Sequence, residues 1–423
     1  MSEYLGEFRT EWRAVTSAMI GLSCGMMMTS YAAGIMGPHL IAEFGWSKSD
    51  LAAVQILGLV AIFSFPFVGR LADMVGARRT ALIGIVSAPF VLFGFSMVNS
   101  IGMYAGLFAL QVLLLTTTTP PIYCRLIVQY FKQARGLALA VAVSGPPLVA
   151  AVGGPLLNNL VVAQGWQAGY LALMVFSAVA GLAAFLLMPA ELRDGAMPTL
   201  KAKSMRKVSA RADYRQTLRN PVFWVLAISM MLCNLPQAVV LTQLNLMIAE
   251  QGVVGRSASI MISAYAMGML VGRFISGFAL DRFPPPLVAT FGLSISAFGL
   301  MFMAVGGGSI VGLSICVLAI GLSFGAESDI LAYLIYRHFG VRTFSTVFGL
   351  LSSVISISAM FGALSLSLVL RFTDSYKPFL LATGFCVLVG GFLLLLLRRH
   401  GTNTEETEDH AEAEVAAKQN SAA

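Results

Sequence analysis

The runs Ala81 to Met103 and Leu137 to Pro189 contain no charged side chain. A helix needs about 20 apolar residues to cross the hydrocarbon core of a bilayer, and both runs exceed that length. Hydrophobic residues make up 57% of the chain and charged residues 11%, against about a quarter charged in soluble domains. The chain therefore reads as a polytopic membrane protein. Backbone groups in lipid must be satisfied within the segment, so each apolar run is expected to be a helix. Hydropathy places twelve spans at 14–36, 51–71, 80–98, 103–131, 136–158, 169–189, 221–248, 258–279, 288–305, 309–335, 343–369 and 378–397.

A net charge of +7 raises the question of nucleic acid. Here the basic residues lie in short connections between spans, where they set topology instead. Of the 27 Lys and Arg, Lys48, Arg256, Arg371 and Lys377 fall on one side of the expected membrane, and Arg125 and Arg273 fall within spans. All the others fall on the side that holds both termini. Cytoplasmic loops carry the excess of Lys and Arg, so both termini are expected in the cytoplasm of a cell membrane, the inner one in a bacterium. Residues 1–13 carry Glu3, Glu7, Arg9, Glu11 and Arg13 and lack the pattern of a signal peptide, so the mature chain is expected to begin here. Two six-span bundles, 14–189 and 221–397, then flank a basic linker at 190–220. That linker is suited to anionic headgroups. The acidic tail 398–423 is expected to be disordered. All five cysteines lie in apolar runs and suggest neither a disulfide nor a metal site.

The halves repeat. Gly69-Arg-Leu-Ala-Asp73-Met-Val-Gly76-Ala-Arg78-Arg79 follows span two, and Gly277-Phe-Ala-Leu-Asp281-Arg282-Phe283 follows span eight. Tyr130-Phe131-Lys132-Gln-Ala-Arg135-Gly136 follows span four, and His338-Phe339-Gly340-Val-Arg342 follows span ten. One spacing relates Asp73 to Asp281 and Phe131 to Phe339. A parallel six-helix repeat is a known transporter plan, with substrate held at the repeat interface.

The loop after span two resembles the signature of the major facilitator superfamily, and the likeness runs from about span one to span twelve. Phe44-Gly45-Trp46-Ser47, the Tyr130-Phe131 to Gly136-Leu137-Ala138 stretch and Gly165-Trp166 are similar to the monocarboxylate and oxalate/formate carriers. So is Gly325-Ala-Glu327-Ser-Asp329 with Arg337-x-Phe339-Gly340. The resemblance implies an all-α membrane protein, with twelve helices in two pseudo-symmetric six-helix bundles. It also implies that Asp73 caps the helix starting near Thr343, beside Arg342. By the repeat, Asp281 then faces Arg135 and the start of span five. Together with Arg78 and Arg79 these residues form the expected gate. Their competing reading is a set of loop charges that only fix topology.

Arg125, Arg273, Glu327 and Asp329 lie inside apolar spans, and an intramembrane charge costs at least a few kcal/mol. A guanidinium presents a planar fork that matches a carboxylate and does not deprotonate. The carrier branch implies that Arg273 holds the substrate's carboxylate; the competing reading is a permanent salt bridge to Asp329 or Glu327. Two residues apart, those acids point about 200° apart on a helix. Asp329 continues the stripe Gly321, Gly325, Asp329, Tyr333, which permits close helix approach, and is expected to pair with Arg273. Desolvation favours the neutral form of a carboxyl, which suits Glu327 or Asp329 to proton coupling. Arg125 reads as a substrate or gate residue, or as one that snorkels. Tyr31, Asn234, Gln237, Gln243 and Asn245 are polar residues of spans one and seven, candidates for shaping the site or for bonding across helices.

The chain departs from the animal carriers in having Met269 where they place an acid, no Lys between Arg13 and Pro38, and no cation in span eleven. One firm cation favours a monovalent anion, aliphatic or aromatic. The reading is a proton-coupled carrier of a small organic anion, a monocarboxylate, working as a monomer without cofactor, metal or nucleic acid. The alternative is an efflux antiporter for amphipathic compounds, suggested by Gly145-Pro146-Pro147 and Gly153-Gly154-Pro155. A non-transporting receptor is disfavoured because the chain has no further domain. No nucleotide-binding loop or catalytic constellation is present, and an enzyme is not expected.

Overall fold

The computed structural model describes residues 2–189, 210–253, 255–305 and 309–399. Residues 400–423 of the expected tail and 190–209 of the linker lie outside the described residues. Among the described residues there are helices and no strands, and twelve helices are long and apolar enough to cross a membrane. They are span one (Trp12–Phe44), two (Ile56–Val75), three (Ala77–Ser96), four (Ile101–Tyr130), five (Arg135–Gln164) and six (Trp166–Leu187). The second set is span seven (Pro221–Glu250), eight (Arg256–Leu280), nine (Pro285–Val305), ten (Ile310–Phe339), eleven (Phe344–Thr373) and twelve (Lys377–Arg398). An even number of crossings returns the chain to one face, called here the terminus side.

Most boundaries fall within a few residues of expectation. Span one departs most, running on to Phe44 after a break at Cys24–Gly25, and span five runs on to Gln164. Residues 51–55, expected at the start of span two, belong instead to a separate helix (Lys48–Gln55) with a capping box between Ser47 and Asp50. Its two reciprocal hydrogen bonds satisfy otherwise orphaned N–H groups at the helix start. A short N-terminal helix (Ser2–Thr10) and a linker helix (Ala210–Arg219) complete the terminus side.

The halves meet along spans two and eleven and along spans five and eight. Both seams depend on glycine. A Cβ on Gly69 would overlap the Ser345 carbonyl, and one on Gly136 would overlap the carbonyl of Gly277. Helix backbones therefore touch across the halves, which only small residues allow.

Candidate functional site

Spans eight and ten approach through the glycine stripe: Gly321 lies against the Tyr265 backbone and Gly325 against that of Met269. This approach brings Arg273 Nη1 to 3.0 Å from Asp329 Oδ1 and 3.2 Å from Ser328 Oγ. The Asp329 side chain is fully buried, and its Oδ2 has no hydrogen-bond partner. A buried ion pair costs several kcal/mol of desolvation per ion, so the pair stands on its mutual attraction and the Ser328 hydroxyl.

Glu327 points to another face of span ten, within electrostatic range of the Asn234 and Gln237 amides, and Asn234 Nδ2 donates to the Met230 carbonyl at 2.8 Å. Span seven supplies both because its helix breaks between Asn234 and Gln237, at Leu235–Pro236. Proline lacks the N–H that would carry the helix through. Tyr265 and Arg273 lie within electrostatic range of Glu327, and the phenol of Tyr31 lies within range of Arg273. Tyr31 is 48% exposed, so the cluster reaches an open surface. Six of the expected residues thus converge: Arg273, Asp329, Glu327, Asn234, Gln237 and Tyr31.

Three expected substrate residues lie elsewhere. Gln243 accepts a 2.7 Å hydrogen bond from the Tyr376 hydroxyl, and Asn245 is exposed further along span seven. Both follow Glu327's two amides by more than a turn, so the helix rise carries them away. Arg125 is buried at the terminus-side seam, where Nη1 donates to Asp73 Oδ1 and, at 2.7 Å, to the Val341 carbonyl.

At that seam Asp73 accepts from the backbone N–H of Ser345 at 3.1 Å and of Thr346 at 2.7 Å, and from Thr346 Oγ1 at 2.5 Å. It caps the start of span eleven, where orphan N–H groups and the helix dipole favour an anion. Asp281 likewise accepts from Gly136 N–H at 2.6 Å and Leu137 N–H at 3.1 Å, at the start of span five. The Arg135 guanidinium lies 3.6 Å from the centre of the Tyr336 ring, and its Nε donates to the Phe131 carbonyl. Arg342, expected beside Asp73, stands 3.4 Å from Asp213 of the linker helix. Arg78 stacks on Phe185, and Arg79 is exposed at the start of span three.

Sequence reasoning missed several carboxylates. Asp213 is buried and 2.7 Å from Arg70. Glu7 accepts from the N–H groups of Lys132, Gln133 and Ala134 at 2.6, 3.1 and 2.8 Å. On the opposite side Glu43 accepts from Trp166 Nε1 at 2.6 Å, and at the corresponding places of the second half Glu250 accepts from Ser375 Oγ and Tyr376 N–H. The scarcity of acids was the available signal, since most acids among the described residues cap a helix or pair with a cation.

The family model of the Major Facilitator Superfamily matches residues 18–363 and 244–420. The chain belongs to the Major Facilitator Superfamily. It is 25% identical over 379 residues to monocarboxylate transporter 13 of Bos taurus, covering 89% of this chain and 84% of that protein. It is also 25% identical over 398 residues to human monocarboxylate transporter 11, covering 91% and 82%. Among solved structures, the E. coli fucose:proton symporter FucP superposes with a TM-score of 0.68 at 13% identity, covering 91% and 98% of the two chains. The protein is a multi-pass membrane transporter of this superfamily, and over most of its length it is similar to monocarboxylate transporters.

Proposed function

We propose that this transporter is a proton-coupled symporter of small monocarboxylates, with both termini in the cytoplasm. The observation that carries the reading is the buried Arg273–Asp329 pair beside Glu327, two amides and an open face lined by Tyr31. A proton added to the unpartnered Oδ2 of Asp329 removes the charge that holds Arg273. The guanidinium fork then takes the carboxylate of the substrate in its place, with two parallel N–H···O bonds. Proton and anion load together, so no net charge crosses with them. Glu327, beside Asn234 and Gln237, orients the substrate-facing wall. The relatives' name, monocarboxylate transporter, supports the substrate class.

In this reading the Asp73 and Asp281 caps close the cytoplasmic side, and both break when the carrier opens inward. The test is uptake of labelled monocarboxylates into proteoliposomes, with and without an inward proton gradient. Gradient-stimulated uptake is expected for the wild type. Arg273→Ala is expected to lower it at least about 100-fold, the scale of a buried partner left unpaired. Asp329→Asn is expected to keep anion exchange but lose stimulation by the gradient. Wild-type uptake by a folded Arg273→Ala variant would sink the assignment. Movement of neutral or cationic amphipaths, with no acid carried, would favour the exporter.

A further inference from the structure

The linker helix makes a contact that neither the repeat nor the gate requires. It continues into span seven through the Asn220 cap, so it belongs by connectivity to the second half. Its side chains nevertheless dock on the first half. The Tyr214 hydroxyl donates to the Pro66 carbonyl of span two at 3.0 Å, and Arg70 of span two lies 2.7 Å from Asp213 Oδ2. Asp213 Oδ1 faces Arg342, in the connection between spans ten and eleven, at 3.4 Å. One carboxylate, 5% exposed, thus commits one oxygen to each half.

We propose that Asp213 is a positioning residue of the transport cycle, and that the linker helix is a clasp holding the terminus side shut. Arg70 neighbours Gly69, whose backbone touches Ser345, and Arg342 sits just before that helix start. Separation of the halves at this seam moves the two arginines apart. Asp213 then keeps one partner, and the second interaction is lost. An interaction present in one state only biases the equilibrium towards that state. The inference rests on the alternating-access reading, but not on the identity of the substrate.

Spin labels at Gln133→Cys and Phe283→Cys, exposed on the terminus side of the first and second halves, report the separation by pulsed electron resonance in nanodiscs. Of the native cysteines Cys24, Cys124, Cys233 and Cys316 are buried, so Cys386→Ser completes the background. Asp213→Asn is expected to lower the closed-to-open ratio about tenfold, the scale of one hydrogen bond to a charged group, and Asp213→Glu to restore it in part. Arg342→Gln is expected to lower the ratio about twofold, because its side chain is 54% exposed. A melting temperature that falls in Asp213→Asn with unchanged distances would make the contact a packing feature and overturn the clasp. If Asp213→Asn does not fold, Arg342→Gln decides, and unchanged distances there overturn the proposal. The distances need no transported substrate. A chain that carries no monocarboxylate but widens in these variants keeps the clasp and loses the anion reading.

Discussion

Gly69→Ala offers a steric probe of the seam between spans two and eleven. The added Cβ would overlap the Ser345 carbonyl oxygen and stand 2.8 Å from its carbon and 3.3 Å from the Thr346 Cα. Carbon atoms pack at about 3.5–4.0 Å, so the helices must part by roughly 1 Å. That displacement takes the Asp73 bonds from Ser345 and Thr346, now 3.1 and 2.7 Å, to roughly 4 Å, beyond hydrogen-bonding range. Overpacking of this kind costs about 1–3 kcal/mol, or about 5- to 150-fold in the equilibrium between closed and open seams. Alanine's helix propensity adds about equally to both states and does not change the ratio. The assay is amide hydrogen exchange of segments 69–79 and 341–347 in nanodiscs, where protection tracks the closed population. Exchange in both segments should quicken by that factor. Gly106→Ala, whose Cβ meets nothing within 4 Å, should leave it unchanged. Wild-type protection in a folded Gly69→Ala protein would refute the backbone-contact account of closure.

Asp281→Ala removes the acceptor for Gly136 and Leu137 N–H and should cost about 1 kcal/mol, read as a lower melting temperature and faster exchange at the start of span five. Glu7→Ala should deprotect the amides of Lys132, Gln133 and Ala134 while the Asp73 seam keeps its protection; equal deprotection of both would show them to be one unit. Gly325→Val should push span ten off the Met269 backbone and break the Arg273–Asp329 contact, lowering stability by about 1–3 kcal/mol. A hydrophilic maleimide should leave Cys24, Cys124, Cys233 and Cys316 unlabelled in the folded protein, since all four are buried, and label them on unfolding.

The Arg273–Asp329 pair was legible because charge inside an apolar run demands a partner, and the glycine stripe named the face that would meet it. Depth along two spans running the same way did the rest. Glu327 was separable from Asp329 by helical geometry alone. The residues of span seven were not. Periodicity could not say that Pro236 breaks that helix and turns Asn234 and Gln237 together, nor that Gln243 would find Tyr376. Arg125 was ambiguous in sequence because its partner, Asp73, stands on a different span. Asp213 lay in a stretch whose basic charge dominated the reading, and no local pattern announces that a linker will fold back on span two. The docking of the linker helix on span two left no trace in composition or spacing.

The two helix caps are exchanged between halves: Asp73 of the first serves a helix of the second, and Asp281 of the second serves a helix of the first. Reciprocity of this kind is the geometry of a two-fold homodimer, in which residue i meets j and j meets i. A six-helix ancestor pairing with its own copy would have made this contact twice, and any change to it would have struck both sites at once. In a single polypeptide that constraint does not hold. At the place equivalent to Thr346, whose N–H and hydroxyl both serve Asp73, the repeat holds Leu137, which has only its N–H to give Asp281, and at the place of Arg125 it holds Tyr333. The two bolts are alike in geometry and different in chemistry, so a substitution in one leaves the other standing.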